Sequence, residues 1–225
     1  MSTQTTGLRE LKKQQTRENI SHQATRLFLE RGFDKVTIAD VAAAAQVAKM
    51  TVTNYFPRKE DLALDLSEEF VGSLARTVRA REPGESALAA LRRTYLAAVA
   101  EHSPVIGFSG PAFARMITDS PALTARLREF HDEREKALAD ALTEEAGTGP
   151  GDILPRVAAA LLGGVHRLLF DETLHRTLDG QDDAEIAAAL TAHIGTAFDA
   201  LEPALGGYAV RPAVTDTGGP GAGRQ

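Results

Sequence analysis

Apolar residues recur three and four positions apart along most of this 225-residue chain, the period of helices that bury one face. From Thr16, the positions Ile20, Ala24, Leu27 and Phe28 predict a helix that Gly32 stops, after which Phe33 turns into the core. His22 lies beside that stripe and reads as a structural or exposed histidine. Thr37 then caps a second helix carrying Ile38, Val41, Ala42 and Ala45. A short break, Gln46-Val47-Ala48, leads into a third helix from Lys49, whose Val52 and Phe56 share one face. Pro57 and Arg58 separate it from a long fourth helix with a stripe of Leu62, Leu66, Phe70 and Leu74.

Beyond the Glu82-Pro83-Gly84 break, Ser86 caps a helix carrying Leu88, Leu91, Tyr95, Leu96 and Val99. The stretch His102–Pro111 mixes apolar side chains with two glycines and two prolines and predicts a bent, irregular segment. A short helix with Phe113, Met116 and Ile117 follows, then one opened by Ser120-Pro121 that runs to the Gly147–Gly151 connection. Residues 152–177 and the helix begun at Asp182-Asp183 close the pattern, for about nine helices in all. Their small residues, Ala158 to Ala160 and Gly163-Gly164, permit close backbone approach, so these last two helices are the candidate dimer interface, with ordinary packing inside one chain as the alternative. The divisions expected are an arm at 1–15, a small domain at 16–60, a larger one at 61–205 and a disordered tail at 206–225.

Net charge of −6 argues by itself against nucleic acid, but the charge is unevenly placed. Residues 1–60 hold ten Lys/Arg against six Asp/Glu, whereas the remainder holds fifteen against twenty-five. A basic head on an acidic body is expected when only the head meets DNA. The absence of cysteine removes disulfides, thiol switches and thiolate metal sites. No apolar run is long enough to span a membrane and no apolar segment follows the N-terminal charges, so a cytoplasmic protein without membrane attachment is expected.

On the third helix, Lys49, Met50, Thr51, Thr53, Asn54 and Tyr55 occupy the faces left free by Val52 and Phe56, with groups suited to base edges and phosphates. The ordered run Ala24–Leu29, Arg31-Gly32-Phe33, Val36–Ala42, Val47, Thr51-Val52, Asn54-Tyr55-Phe56 and Lys59–Leu62 resembles the TetR family of bacterial transcriptional regulators over about residues 16 to 65. The resemblance implies an all-α homodimer. Three N-terminal helices carrying a helix-turn-helix would bind an inverted-repeat operator in double-stranded DNA. The following helices would form the pocket for a small, largely apolar effector and the dimer contact. A ligand-released repressor is implied, and a helical protein-interaction module without specific DNA binding is the alternative.

Residue roles follow from the same resemblance. Asn54 would pair with adenine, Met50 and Thr51 would touch thymine methyls, and Tyr55 would meet a phosphate, with Lys49 and Thr53 on the same recognition helix. Thr37 and Lys59 match positions that grip the DNA backbone, although Thr37 also has the simpler role of a helix cap. Gln46 stands where the family has glycine and Ala48 where a capping serine is common, which predicts a strained, uncapped turn. Effector contacts are expected from Phe108, Phe113, Met116, Phe130 and Phe170 as walls, with His131, Arg134, His166 and Arg167 as polar partners. His131 and Glu135, four apart on one helix, with His166 and His175 near in sequence, are the one hint of metal or acid–base chemistry. No phosphate loop, HExxH or GxSxG accompanies them, so neither an enzyme nor a cofactor is expected.

Overall fold

The computed structural model describes residues 3–147, 149 and 151–212, with side chains from Gly7 onward. Among the described residues there are ten α-helices and no strand. The head is α1 (Thr3–Arg31), α2 (Ile38–Ala44), α3 (Lys49–Tyr55) and α4 (Lys59–Ala63). The body is α5 (Ser67–Arg79), α6 (Ala87–Ala100), α7 (Gly110–Asp119), α8 (Pro121–Ala146), α9 (Leu154–Leu178) and α10 (Asp183–Leu205). Short 3-10 turns lie at Phe33–Lys35 and Pro104–Ile106.

Local chemistry explains several helix starts. Ser86, Ser120 and Asp182 each accept a backbone N–H three residues on, and Glu185 completes a capping box with Asp182. Gly107, at φ 106°, closes the irregular segment against α9, where a Cβ would lie 2.9 Å from Thr173 Cβ.

Three apolar clusters stack from head to body. The head cluster joins Ile20, Phe28, Phe33, Val41, Val52, Phe56 and Leu62 and takes in Met116 of α7 and Leu123 of α8. The head therefore packs on the body rather than hanging from it. A middle cluster centres on Phe70, Ile117, Leu127, Phe130 and Phe170, and the largest unites α6, α8, α9 and α10 around Leu91, Leu138, Leu162, Leu190 and Phe198.

Three expectations change. The long fourth helix is broken: α4 ends at Ala63, Leu64 turns out of helical geometry at φ −109° and ψ 52°, and Leu66 is exposed. Polar anchors hold the break, since Ser21 Oγ donates to the Asp65 carboxylate and Arg17 donates to the Asp65 carbonyl. Instead of a free arm, the chain from Thr3 to Gln15 continues α1; from Leu8 to Gln15 it is built of good helix formers, with local contacts such as Gln14 to Glu18. The expected tail at 206–225 begins as held structure: the Gly84 N–H donates to the Arg211 carbonyl at 2.8 Å and the Arg211 N–H to the Glu85 carbonyl at 3.0 Å. Arg81, 1% exposed, donates to the Ala209 carbonyl and to Glu145, so this segment seals a buried cation. Residues 213–225 of that tail lie outside the described residues.

Candidate functional site

In the head, α2 and α3 form the helix-turn-helix. Thr37 Oγ1 accepts the Asp40 N–H at 3.2 Å while Asp40 accepts the Thr37 N–H at 2.8 Å, a capping box; the Thr37 hydroxyl, donating to the Asp40 carboxylate at 2.6 Å, and then the Thr37 N–H hold that carboxyl below its ordinary pKa. The turn has Gln46 in the left-handed region at φ 57°, and Ala48 starts α3 with no side-chain cap. The strain and the missing cap read from the sequence are both present.

Val52 and Phe56 are fully buried, which fixes the roll of α3 and leaves Lys49, Met50 and Asn54 exposed, Met50 at 69%. Thr51, Thr53 and Tyr55 are half-buried at the flanks, and the Thr53 hydroxyl is bonded to the Met50 carbonyl at 3.1 Å. Thr37 is exposed at the start of α2. Lys59 lies half-buried at the start of α4 with its ammonium 4.2 Å from the Phe33 ring centroid, a cation–π contact beyond the plain charge expected.

Two residues of α1 position this unit and were not singled out by the sequence pattern. Arg17 stacks over Phe56 at 4.5 Å and donates to the Tyr55 carbonyl at the end of α3, while Asn19 donates to the Ala45 carbonyl at the end of α2. Both are polar residues flanking the apolar stripe of α1, and periodicity assigns no role to that flank.

The proposed effector residues divide between two cavities and other surroundings. A cavity of about 390 Å³ opens between α5, α6 and the Pro104–Ile106 turn, with Leu74, Leu91, Tyr95 and Ile106 along it and Arg134 and His166 among its lining. A second, of about 200 Å³, lies under the α4–α5 break and is walled by Leu64, Phe70, Phe113, Phe130 and Phe170. His131 and Arg167 border a groove between α8 and α9, where Arg167 pairs with Asp132 at 2.7 Å. Phe108 is core, stacked on His102, and Met116 belongs to the head cluster. Tyr95 and Phe70 complete the cavities, although the sequence pattern of α6 makes Tyr95 only part of an apolar stripe.

Between the cavities stands a group of unlike side chains. The rings of Phe70, His131 and Phe170 meet edge to face with centroids 5.0 to 5.6 Å apart, and the Arg134 guanidinium lies 4.1 Å from the Phe70 centroid. Burial, with Arg134 and Arg167 nearby, pushes the His131 pKa down to about 3, and burial holds His166 well below its ordinary value. Both imidazoles are neutral at pH 7. Burial lowers Arg134 to about 10, which leaves it cationic. Among the described residues neither ring nitrogen of His166 nor the Tyr95 hydroxyl finds a hydrogen-bond partner. Among the described residues no group of three or more His, Asp or Glu is arranged to hold a metal ion.

A further feature lies outside. Leu154, Val157, Leu161 and Leu168 form an apolar stripe on α9 that its own chain leaves exposed, Leu168 at 70%. No described helix is long and apolar enough to cross a membrane.

Residues 20–66, which hold the helix-turn-helix and the turn into α4, match the family model for bacterial regulatory proteins of the tetR family. Over 205 residues, 88% of each chain, the protein is 28% identical to the HTH-type transcriptional regulator TcmR of Streptomyces glaucescens. A 62-residue stretch, 28% of this chain and 31% of the relative, is 36% identical to the HTH-type transcriptional repressor DhaR of Mycobacterium sp. (strain GP1). The fold is similar to that of SmeT in its triclosan complex, with a TM-score of 0.53 and 17% identity over 91% of this chain and 99% of that one. A TetR-family regulator from Syntrophomonas wolfei is similar at a TM-score of 0.54 and 18% identity, covering 83% and 96% of the two chains. The match falls on the residues that bury one face of α3 and expose the other, and the likeness of fold extends through the helical body: residues 20–66 are a regulatory region of the tetR type, on a chain similar along most of its length to bacterial transcriptional regulators.

Proposed function

We propose that the protein is a ligand-responsive transcriptional repressor that binds an inverted-repeat operator as a homodimer and lets go when a small molecule enters the body. The observation that carries the reading is the roll of α3: with Val52 and Phe56 at the core, Lys49, Met50 and Asn54 stand free on a helix narrow enough for a major groove. The basic balance of residues 1–60 supports the same face meeting phosphate. Pairing through the exposed α9 stripe, with α10 beside it, would present two such heads, and two-fold symmetry in the protein asks for two-fold symmetry in the site.

Release has a physical route. The second cavity is walled by the Leu64–Ser67 link between α4 and α5, and Leu64 packs against both the head and middle clusters. A ligand that shifts α5 against α8 moves this link and therefore the head. SmeT holds triclosan in a similar fold, which supports a small-molecule effector here. Fluorescence anisotropy of a labelled operator duplex, titrated with protein and then with candidate effectors, tests both halves. Binding restricted to one duplex and reversed by a compound supports the reading, and equal binding to every duplex defeats it.

A further inference from the structure

Two arginines of this protein are buried to the same degree and partnered very differently. Arg81, 1% exposed, has a counter-charge in Glu145 at 2.6 Å and two further acceptors in the carbonyls of Val78 and Ala209. Arg134, 2% exposed, has among the described residues one hydrogen bond, to Nδ1 of the neutral His131 at 3.2 Å, and the face of Phe70. Among the described residues no carboxylate lies within 4.0 Å of it. A buried guanidinium with five N–H donors and no counter-charge is costly unless something supplies the anion.

The place that could supply it is the larger cavity. Arg134, His166 and Tyr95 are all buried and all line it, while the carboxylates that border it, Glu69 and Glu101, are exposed. His166 and the Tyr95 hydroxyl carry unmet hydrogen-bonding capacity beside the unmet charge. Leu74, Leu91, Val105 and Ile106 give the cavity an apolar wall, Thr77 and Thr94 add hydroxyls, and Arg76, whose guanidinium already donates to the Glu69 carbonyl, is the other cation on it; about 390 Å³ falls in the range of small-molecule sites.

We propose that this cavity takes an organic acid: an apolar body bearing one carboxylate or acidic phenolate, whose negative oxygen pairs with the Arg134 guanidinium and whose remaining polar edge meets Tyr95 and His166. This deepens the effector reading above and rests on it for the cavity's regulatory role, but not for the binding chemistry. A charge-assisted pair at a desolvated site favours the anion over a neutral isostere by about tenfold or more.

The test uses the full chain and matched probes at pH 8: 2-naphthoate against 2-naphthamide, and 4-nitrophenolate against 4-nitroanisole, with affinities from calorimetry and thermal shift. Preference for an acid over its neutral partner, abolished in Arg134→Gln with binding of the neutral probe kept, is the expected result; which acid is preferred distinguishes carboxylate from phenolate. Equal binding of acid and neutral probe, an acid preference that survives Arg134→Gln, or no acid binding at millimolar concentration overturns the proposal. A ligand-free comparison stands beside it. Arg134→Met should leave the melting temperature unchanged or raised while Arg81→Met lowers it, and a comparable fall for both would make Arg134 structural and overturn the proposal. Operator release is read separately. Arg134-dependent acid binding without release upholds this site and removes its role as effector switch, whereas release by the neutral probes alone does the reverse.

Discussion

Arg126 of α8 donates from Nε to Asp61 Oδ1 of α4 at 2.8 Å, tying the body to the last helix of the head. The other carboxylate oxygen of Asp61 accepts the Arg58 N–H at 3.1 Å, and Arg126 also reaches Glu129 at 2.6 Å, which pairs with Arg58 at 2.7 Å. Asp61 is 8% exposed, so removing its partner strands a mostly buried charge. Arg126→Met should destabilise the protein by about 1–3 kcal/mol, and Arg126→Met with Asp61→Asn should cost less than the sum of the two single changes. Urea unfolding of the four proteins checks this. Strict additivity would show that the pair does not act as a unit.

The helix-turn-helix turn carries two removable costs. Gln46→Gly relieves a left-handed backbone, worth roughly 0.5–1 kcal/mol after glycine's own entropy, and Ala48→Ser adds a cap worth about 1 kcal/mol. Both sites are exposed, so each change should raise the melting temperature without altering the packed face of α3. A fall in melting temperature for Gln46→Gly would contradict the left-handed turn.

Much of this arrangement was legible because it repeats a local rule. The caps at Thr37, Ser86, Ser120 and Asp182, the burial of Val52 and Phe56, and the strain at Gln46 all follow from residues within a few positions. What periodicity misassigned depends on distant partners. Leu66 fits the stripe of an unbroken fourth helix, yet Arg17 and Ser21, more than forty residues earlier, hold Asp65 in the break. Arg81 looks like an ordinary surface cation until Glu145 and Ala209 close over it. Residue type alone marks aromatic and polar side chains of the body as candidates for an effector pocket, and folding sends Phe108 and Met116 into core while adding Tyr95 and Phe70 to the cavities.

The α9 stripe gives a test of assembly. Leu168→Asp places a carboxylate at the most exposed leucine of that face, where a symmetric contact would desolvate it twice. Light scattering should report monomers at micromolar concentration, with the circular dichroism of the parent retained. A persistent dimer would move the interface off α9.

Stability should depend on pH through the two buried histidines. Their folded pKa values lie below the unfolded value near 6.5, so the unfolded chain binds protons first as pH falls. Their contribution is present above the unfolded value near 6.5 and is lost progressively below it, about 2 kcal/mol for His131 by pH 5, with His166 acting in the same direction. Carboxylates held low, such as Glu129, add their own loss only at more acidic pH. His131→Phe should flatten the decline between pH 6.5 and 5 in chemical denaturation, and an unchanged slope would show that His131 is not held neutral.

Sequence-specific recognition by α3 of a paired head is the centre of the account. The parent chain and Asn54→Ala are each used to select duplexes from a random-sequence pool, and affinities for the enriched duplex and its single-base variants are measured across a salt series. The parent should enrich an inverted repeat with half-sites about one helical turn apart or a multiple of it, bound with steep salt dependence. Asn54→Ala should lose about 1–3 kcal/mol of discrimination at one position in each half-site while keeping the salt slope. Enrichment of no sequence by the parent, or of one without two-fold symmetry, would contradict it.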